Sequence, residues 1–132
     1  MLQVTCAVIC NAQNEILAVQ RSEKMRMPLK WEFPGGKLEA GETEAEGLSR
    51  EIREELALNI QPEIRMQPVH HDYGAFTICL IPYWARIGKE EVKLKEHLAY
   101  RWILPKNLPG LDWAAADLPV VQQILNSKPW FF

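Results

Sequence analysis

The chain has 132 residues, 48% of them apolar, and a net charge of −2 from 15 basic and 17 acidic side chains. That size and apolar content suit a single domain, residues 1–132, with room for a hydrophobic core. The charge balance argues against duplex DNA as a partner, because nothing neutralises a nucleic-acid backbone. No apolar run nears the roughly 20 residues of a membrane span. The N-terminal MLQVTCAVIC opens as a strand and lacks the basic start of a signal peptide.

Residues 3–10 are β-branched and apolar and predict a buried strand. Residues 11–15 turn the chain, and 16–20 return as a second strand. The polar stretch 21–30, with Pro28, reads as a loop. Trp31 to Phe33 form a short strand ended by Pro34-Gly35-Gly36, where paired glycines allow positive φ and close approach to a ligand. Residues 37–40 are briefly extended and Gly41 turns. A helix follows from about Thr43 to Ala57, with Thr43 as N-cap and Glu46 completing a capping box. Its apolar stripe is Ala45, Leu48, Ile52 and Leu56. Residues 67–73 and 76–86 predict a hairpin around Gly74, 92–95 a short extended piece, and 99–103 another strand. A turn spans 104–108, and 118–126 form an amphipathic closing helix with Asp117 at its start and Pro119 in its first turn. Strands, an internal helix, more strands and a final helix imply an α/β (α+β) fold with a mixed sheet between helices. Cys6, Cys10 and Cys79 are odd in number and lack C-x-x-C spacing. Cys6 and Cys10 on one strand stand about 13 Å apart, too far for a disulfide. All three read as small buried residues of a reduced, cytoplasmic protein.

The chemistry concentrates between Gly36 and Leu58, GKLEAGETEAEGLSREIREELAL. A helix advances about 100° per residue, which puts Glu51, Glu54 and Glu55 on one side. Like charges at that spacing repel by about 0.2–0.5 kcal/mol per pair, and a bound cation relieves the repulsion. Glu42, Glu51, Glu54 and Glu55 offer only hard oxygen ligands, which favour Mg²⁺, with Mn²⁺ as substitute, over Zn²⁺. Arg50 points away from this cluster on the wheel and can pair with Glu46 and Glu54, as a positioning residue.

This stretch resembles the Nudix box, in which a Gly, five residues, a Glu and seven residues precede R-E-U-x-E-E-x-G-U, with U aliphatic. Gly36, Glu42, Arg50, Glu51, Ile52, Glu54, Glu55 and Leu58 match, and Ala57 replaces the usual Gly. WEFPGG (residues 31–36), the Glu96-His97 pair, Arg101-Trp102 and AADLPVV (residues 115–121) extend the resemblance to the MutT branch of the Nudix hydrolases. It implies the Nudix fold, a mixed sheet sandwiched between helices. It implies metal ligation by the Gly35 carbonyl, Glu51, Glu54 and Glu55. Glu51 or Glu54 would orient the attacking water. Glu96 would add a ligand or base, with His97 as its competitor. Glu42 would support the box or reach an outer metal, and Lys37 would touch phosphate.

The resemblance also makes Asp117 the base reader. An ionised Asp only accepts hydrogen bonds, which suits the donor edge of guanine or the cytosine amino group. A plain N-cap is its structural alternative. Phe33, Tyr73 and Phe76 are candidates to stack on a base or to pack the core, and Arg21 and Glu32 to line the pocket. The implied activity is Mg²⁺-dependent hydrolysis of a nucleoside triphosphate to the monophosphate and pyrophosphate. An oxidised purine such as 8-oxo-dGTP is favoured, in nucleotide-pool sanitation, with CTP or a modified dCTP as the alternative. A non-catalytic binding module would be expected to lose box carboxylates, and none is missing here. The role of Trp130-Phe131-Phe132 and the choice between monomer and homodimer stay open at this stage.

Overall fold

In the computed structural model, residues 1–127 are described. The Trp130-Phe131-Phe132 tail lies outside them. The strands are β1 (Leu2–Cys10), β2 (Ile16–Gln20), β3 (Trp31–Glu32), β4 (Gly35–Lys37), β5 (Gln61–Arg65), β6 (Val69–Asp72), β7 (Thr77–Arg86) and β8 (Ala99–Ile103). The helices are α1 (Glu44–Leu56) and α2 (Leu118–Asn126), with 3₁₀ turns at Pro105–Gly110 and Ala115–Asp117. All eight strands belong to one sheet, with β3, β2, β1, β7 and β5 in order and β4, β6 and β8 branching from it. At its centre β1 and β7 run parallel, from Leu2 opposite Ile78 to Cys10 opposite Arg86. The other pairings are antiparallel.

Side chains alternate across a strand, and the central strands are apolar on both faces. Ala7, Ile9, Leu17 and Val19 face α1 and pack with Leu48, Ile52 and Leu56. Cys6, Val8, Cys10, Ile16 and Ala18 face the other way, onto Val120, Val121 and Ile124 of α2. The sheet is therefore mixed and sandwiched between helices, as the sequence predicts. Leu48, Ile52 and Leu56 are fully buried, and each contributes about 1.5–3 kcal/mol by leaving water. The three cysteines are free and buried.

Several expectations are corrected. Gly35 and Gly36 do not turn the chain: they begin β4, antiparallel to β1 at Cys6 and Thr5, and neither has positive φ. β3 ends at Glu32, before Phe33. β5, unforeseen, adds to β7 with an irregularity between Pro62 and Ile64. Residues 92–95 form no strand, although Lys93 N–H bonds the Leu56 carbonyl at the end of α1. Ala57 keeps the left-handed conformation that glycine usually takes, at φ 56° and ψ 34°.

Candidate active site

Helix α1 starts where the capping box places it. Glu46 N–H donates to Thr43 Oγ1 at 3.1 Å, and Thr43 N–H donates to Glu46 Oε1 at 2.9 Å. Glu46 is thereby committed and does not pair with Arg50, contrary to the wheel reading. Nor does Arg50 point away from the carboxylates. Its Nε and Nη2 reach Glu42 at 2.5 and 2.9 Å. Its Nη1 reaches Glu51 at 3.0 Å and Glu54 at 3.2 Å, and its Nη2 the Lys37 carbonyl at 3.3 Å. A bidentate, charge-assisted contact of this kind is strong. The Arg50 hydrogen bond, with the Glu39 N–H, holds the Glu42 carboxyl down at about 2. Glu42 thus serves the box by fixing Arg50.

The glycine pair is explained by approach rather than by turning. A Cβ at Gly35 would run into the Thr5 carbonyl of β1, and one at Gly36 into the Glu51 carboxylate. Glu51 therefore lies directly on the β4 backbone. Glu55, one helical turn on, is half-buried, like Glu51. Burial first, then the charges of Glu51, Glu32 and Glu96, push its carboxyl up to about 8. Its Oε2 is buried without a hydrogen-bond partner. Glu54 stands at the rim with its side chain 60% exposed. Glu96 is exposed and does not line the cleft, yet its charge is felt at Glu55.

These groups suit a divalent cation. The donors are all oxygen, one buried carboxylate oxygen is orphaned, and neighbouring negative charge is left uncompensated at Glu55. Among the described residues no three His, Cys, Asp or Glu side chains already converge as a metal cage. Arg50 is bonded to two of the carboxylates instead.

Beside the cluster opens a cleft of about 560 Å³, whose walls include Gly35, Gly36, Lys37, Glu55, Arg21 and Asp117. It brings one carboxylate of the box together with the expected base reader. Asp117 does not act as a helix cap: its side chain makes no capping bond and its backbone is already helical, at φ −84° and ψ −18°. Instead its Oδ2 accepts the Phe33 N–H at 2.9 Å. Burial, then the Glu32 charge, raises its carboxyl well above the usual range. Arg21 Nη1 donates to Glu32 Oε1 at 2.7 Å, and Glu32 Oε2 meets His97 Nε2 at 2.8 Å. Arg21 Nε also bonds the Arg26 carbonyl.

The aromatic expectations divide. The Phe33 ring is buried and stacked on Trp113 at 4.6 Å, so it packs the core. Phe76 lines the cleft but stacks on Tyr73 at 5.3 Å, with the Arg26 guanidinium 4.6 Å above it. Tyr73 Oη accepts the Ala116 N–H at 2.9 Å, which steadies the turn carrying Asp117. Lys37 lines the cleft and is exposed. Cys6 and Arg26, which line the cleft, were not foreseen there, nor was Trp113 behind Phe33. The alternation along β1 puts Cys6 on the α2 face and was the available signal for it. Nothing local marks Trp113 or Arg26.

Comparison with known proteins agrees with this geometry. A family model described as a NUDIX domain matches residues 5–123. The chain is 40% identical over 129 residues to the 8-oxo-dGTP diphosphatase of Haemophilus influenzae, covering 96% of this chain and 93% of that protein. It is 27% identical over 125 residues to the CTP pyrophosphohydrolase of Escherichia coli, covering 95% and 92%. The crystal structure of the MutT protein from Methanosarcina mazei Go1 superposes with a TM-score of 0.86 at 27% identity, covering 96% of each chain. A family match over nearly the full length, on a fold and a carboxylate helix of the same kind, gives the placement: the chain belongs to the Nudix family, as a MutT-like Nudix hydrolase.

Proposed function

We propose that this protein is a Mg²⁺-dependent nucleoside triphosphate pyrophosphohydrolase, acting as a single domain on the cytoplasmic nucleotide pool. Its products are a nucleoside monophosphate and pyrophosphate. The observation that carries this reading is the shared cleft, which sets a metal-binding type of carboxylate helix beside the buried acceptor Asp117. Glu51, Glu54, Glu55 and the Gly35 carbonyl would hold the cation, with Glu96 contributing from the loop before β8. When bound, the cation neutralises polyphosphate charge and acidifies a water.

The residues of the chain divide the remaining work. Glu51, pressed against Gly36 and oriented by Arg50, or Glu54 takes the water proton as attack proceeds at the β-phosphorus. Arg50 and Glu42 keep the carboxylates in register. Lys37 offers positive charge to the phosphates, and Arg21 lines the pocket, paired with Glu32. Asp117 receives the donor edge of the base.

The H. influenzae relative favours 8-oxo-dGTP as substrate, in nucleotide-pool sanitation and thus DNA repair. The E. coli relative favours CTP, whose amino group suits the same acceptor. One experiment separates them: kcat/KM for 8-oxo-dGTP, dGTP and CTP with Mg²⁺, with pyrophosphate and orthophosphate both quantified. Pyrophosphate release with 8-oxo-dGTP preferred supports the reading. Orthophosphate as the sole product overturns the β-phosphorus assignment, and absence of turnover overturns the enzyme.

A further inference from the structure

His97 has a role still unfilled. It lies one residue beyond the exposed Glu96, but its own side chain is only 2% exposed and lines the cleft. Glu32 fixes how it is used. One oxygen of that carboxylate accepts from Arg21 Nη1, and the other lies 2.8 Å from His97 Nε2. A carboxylate oxygen is an acceptor, so Nε2 is the ring nitrogen that donates to Glu32, and Nδ1 is the one that remains. That Nδ1 is buried and has no hydrogen-bond partner. A buried, unpaired ring nitrogen on a residue that lines a cleft calls for a partner supplied by what the cleft holds.

The chemistry of a nucleotide narrows the donor. Phosphate oxygens only accept. The base edge is addressed by Asp117, anchored on the Phe33 N–H. Glu32 is the carboxylate whose charge acts on both Asp117 and Glu55. Glu32 and His97 line the same cleft as Asp117 and Glu55, and within it the sugar joins the base to the phosphates. We propose that His97 Nδ1 accepts a hydrogen bond from a sugar hydroxyl of the bound nucleotide, with Glu32 and Arg21 bracing the ring. This rests on the nucleotide reading above and deepens it: the enzyme reads the sugar through a ring locked in one tautomer.

Binding of hydrolysis products tests it without turnover. The ligands are guanosine and cytidine 5′-monophosphates and their 2′-deoxy and 3′-deoxy forms, titrated into wild type, His97→Gln and His97→Asn. Gln keeps a donor toward Glu32 and loses the acceptor at the Nδ1 position, whereas Asn carries an oxygen near that position. Removing one of the two hydroxyls should weaken wild-type binding about 3- to 10-fold. The same removal should cost nothing in His97→Gln and retain its cost in His97→Asn, as expected of two partners in one contact. In ¹⁵N spectra of the wild type, His97 Nδ1 should be unprotonated when free and shift when the hydroxyl-bearing ligand binds. An Nδ1 that is protonated or unmoved on binding, or a hydroxyl dependence that survives His97→Gln, overturns the proposal while leaving the nucleotide reading intact. Failure of every nucleotide to bind or be hydrolysed overturns both.

Discussion

Asp117 serves the fold and the cleft at once, and two substitutions separate the duties. Asp117→Ala strands the buried Phe33 N–H, which should cost about 1–3 kcal/mol in urea unfolding. The same change should lower kcat/KM for the preferred nucleotide about 2- to 150-fold, the worth of one hydrogen bond to the base edge. Asp117→Asn keeps an oxygen for Phe33 and adds an amide donor. It should unfold close to wild type while shifting the CTP-to-UTP ratio of kcat/KM toward UTP. An unchanged ranking of nucleotides in both variants would remove Asp117 from base reading. Glu54 poses the opposite case. It is mostly exposed and, among the described residues, bonded to Arg50 alone, so Glu54→Gln should leave circular dichroism and stability nearly untouched. Turnover at saturating Mg²⁺ should nevertheless fall by at least about 100-fold, because a charge that carries metal is lost. Turnover near wild type would place the metal elsewhere.

Helix α1 ends on a residue that fits its position poorly. Ala57 sits at φ 56° with its N–H bonded to the Arg53 carbonyl. A side chain in that region costs about 1–2 kcal/mol, so Ala57→Gly should raise stability by about 1 kcal/mol in urea unfolding, with kcat unchanged. An unaltered midpoint would show that the C-cap is not strained. Both alternatives at this helix end could be read from the residues, and only the backbone angle chose between them. Strands β1, β2 and β7 were legible as apolar, β-branched runs bounded by turns, and both helices by the 3.6 period of their apolar residues. β5 was not, since Gln61–Arg65 is almost wholly exposed and gains its strand state from pairing with β7. Gly35 and Gly36 read locally as a strand end free to take positive φ near a ligand, but their need for glycine comes from Thr5, 30 positions before Gly35, and from Glu51 on the facing helix. The helical wheel misplaced Arg50 for a similar reason. It counts only partners on the helix, whereas Glu42 and the Lys37 carbonyl arrive from the preceding segment.

The molecule as a whole should register the cation through Glu55. The folded carboxyl takes its proton at about 8 against an ordinary 4.5. The folded state therefore holds a proton that the unfolded chain has released between those values. Stability of the metal-free protein should fall as pH rises from about 4.5 to about 8 and level off above, through this group. Mg²⁺ counters the charge, so its effect on Tm should grow over the same interval, and Glu55→Gln should flatten both curves in calorimetry. A Mg²⁺-induced Tm shift that persists in Glu55→Gln would exclude this carboxylate from the metal site. The central parallel pair bears on how the chain is made. Leu2 must find Ile78, so β1 lacks its β7 partner until the ribosome has added the 76 positions that separate them. At about 5–20 residues per second that is several seconds, with the edge of β1 that β7 will pair left open. The nascent chain is then most open to chaperones and to self-association, and stalling translation just before Thr77 would prolong that exposure more than stalling after Arg86.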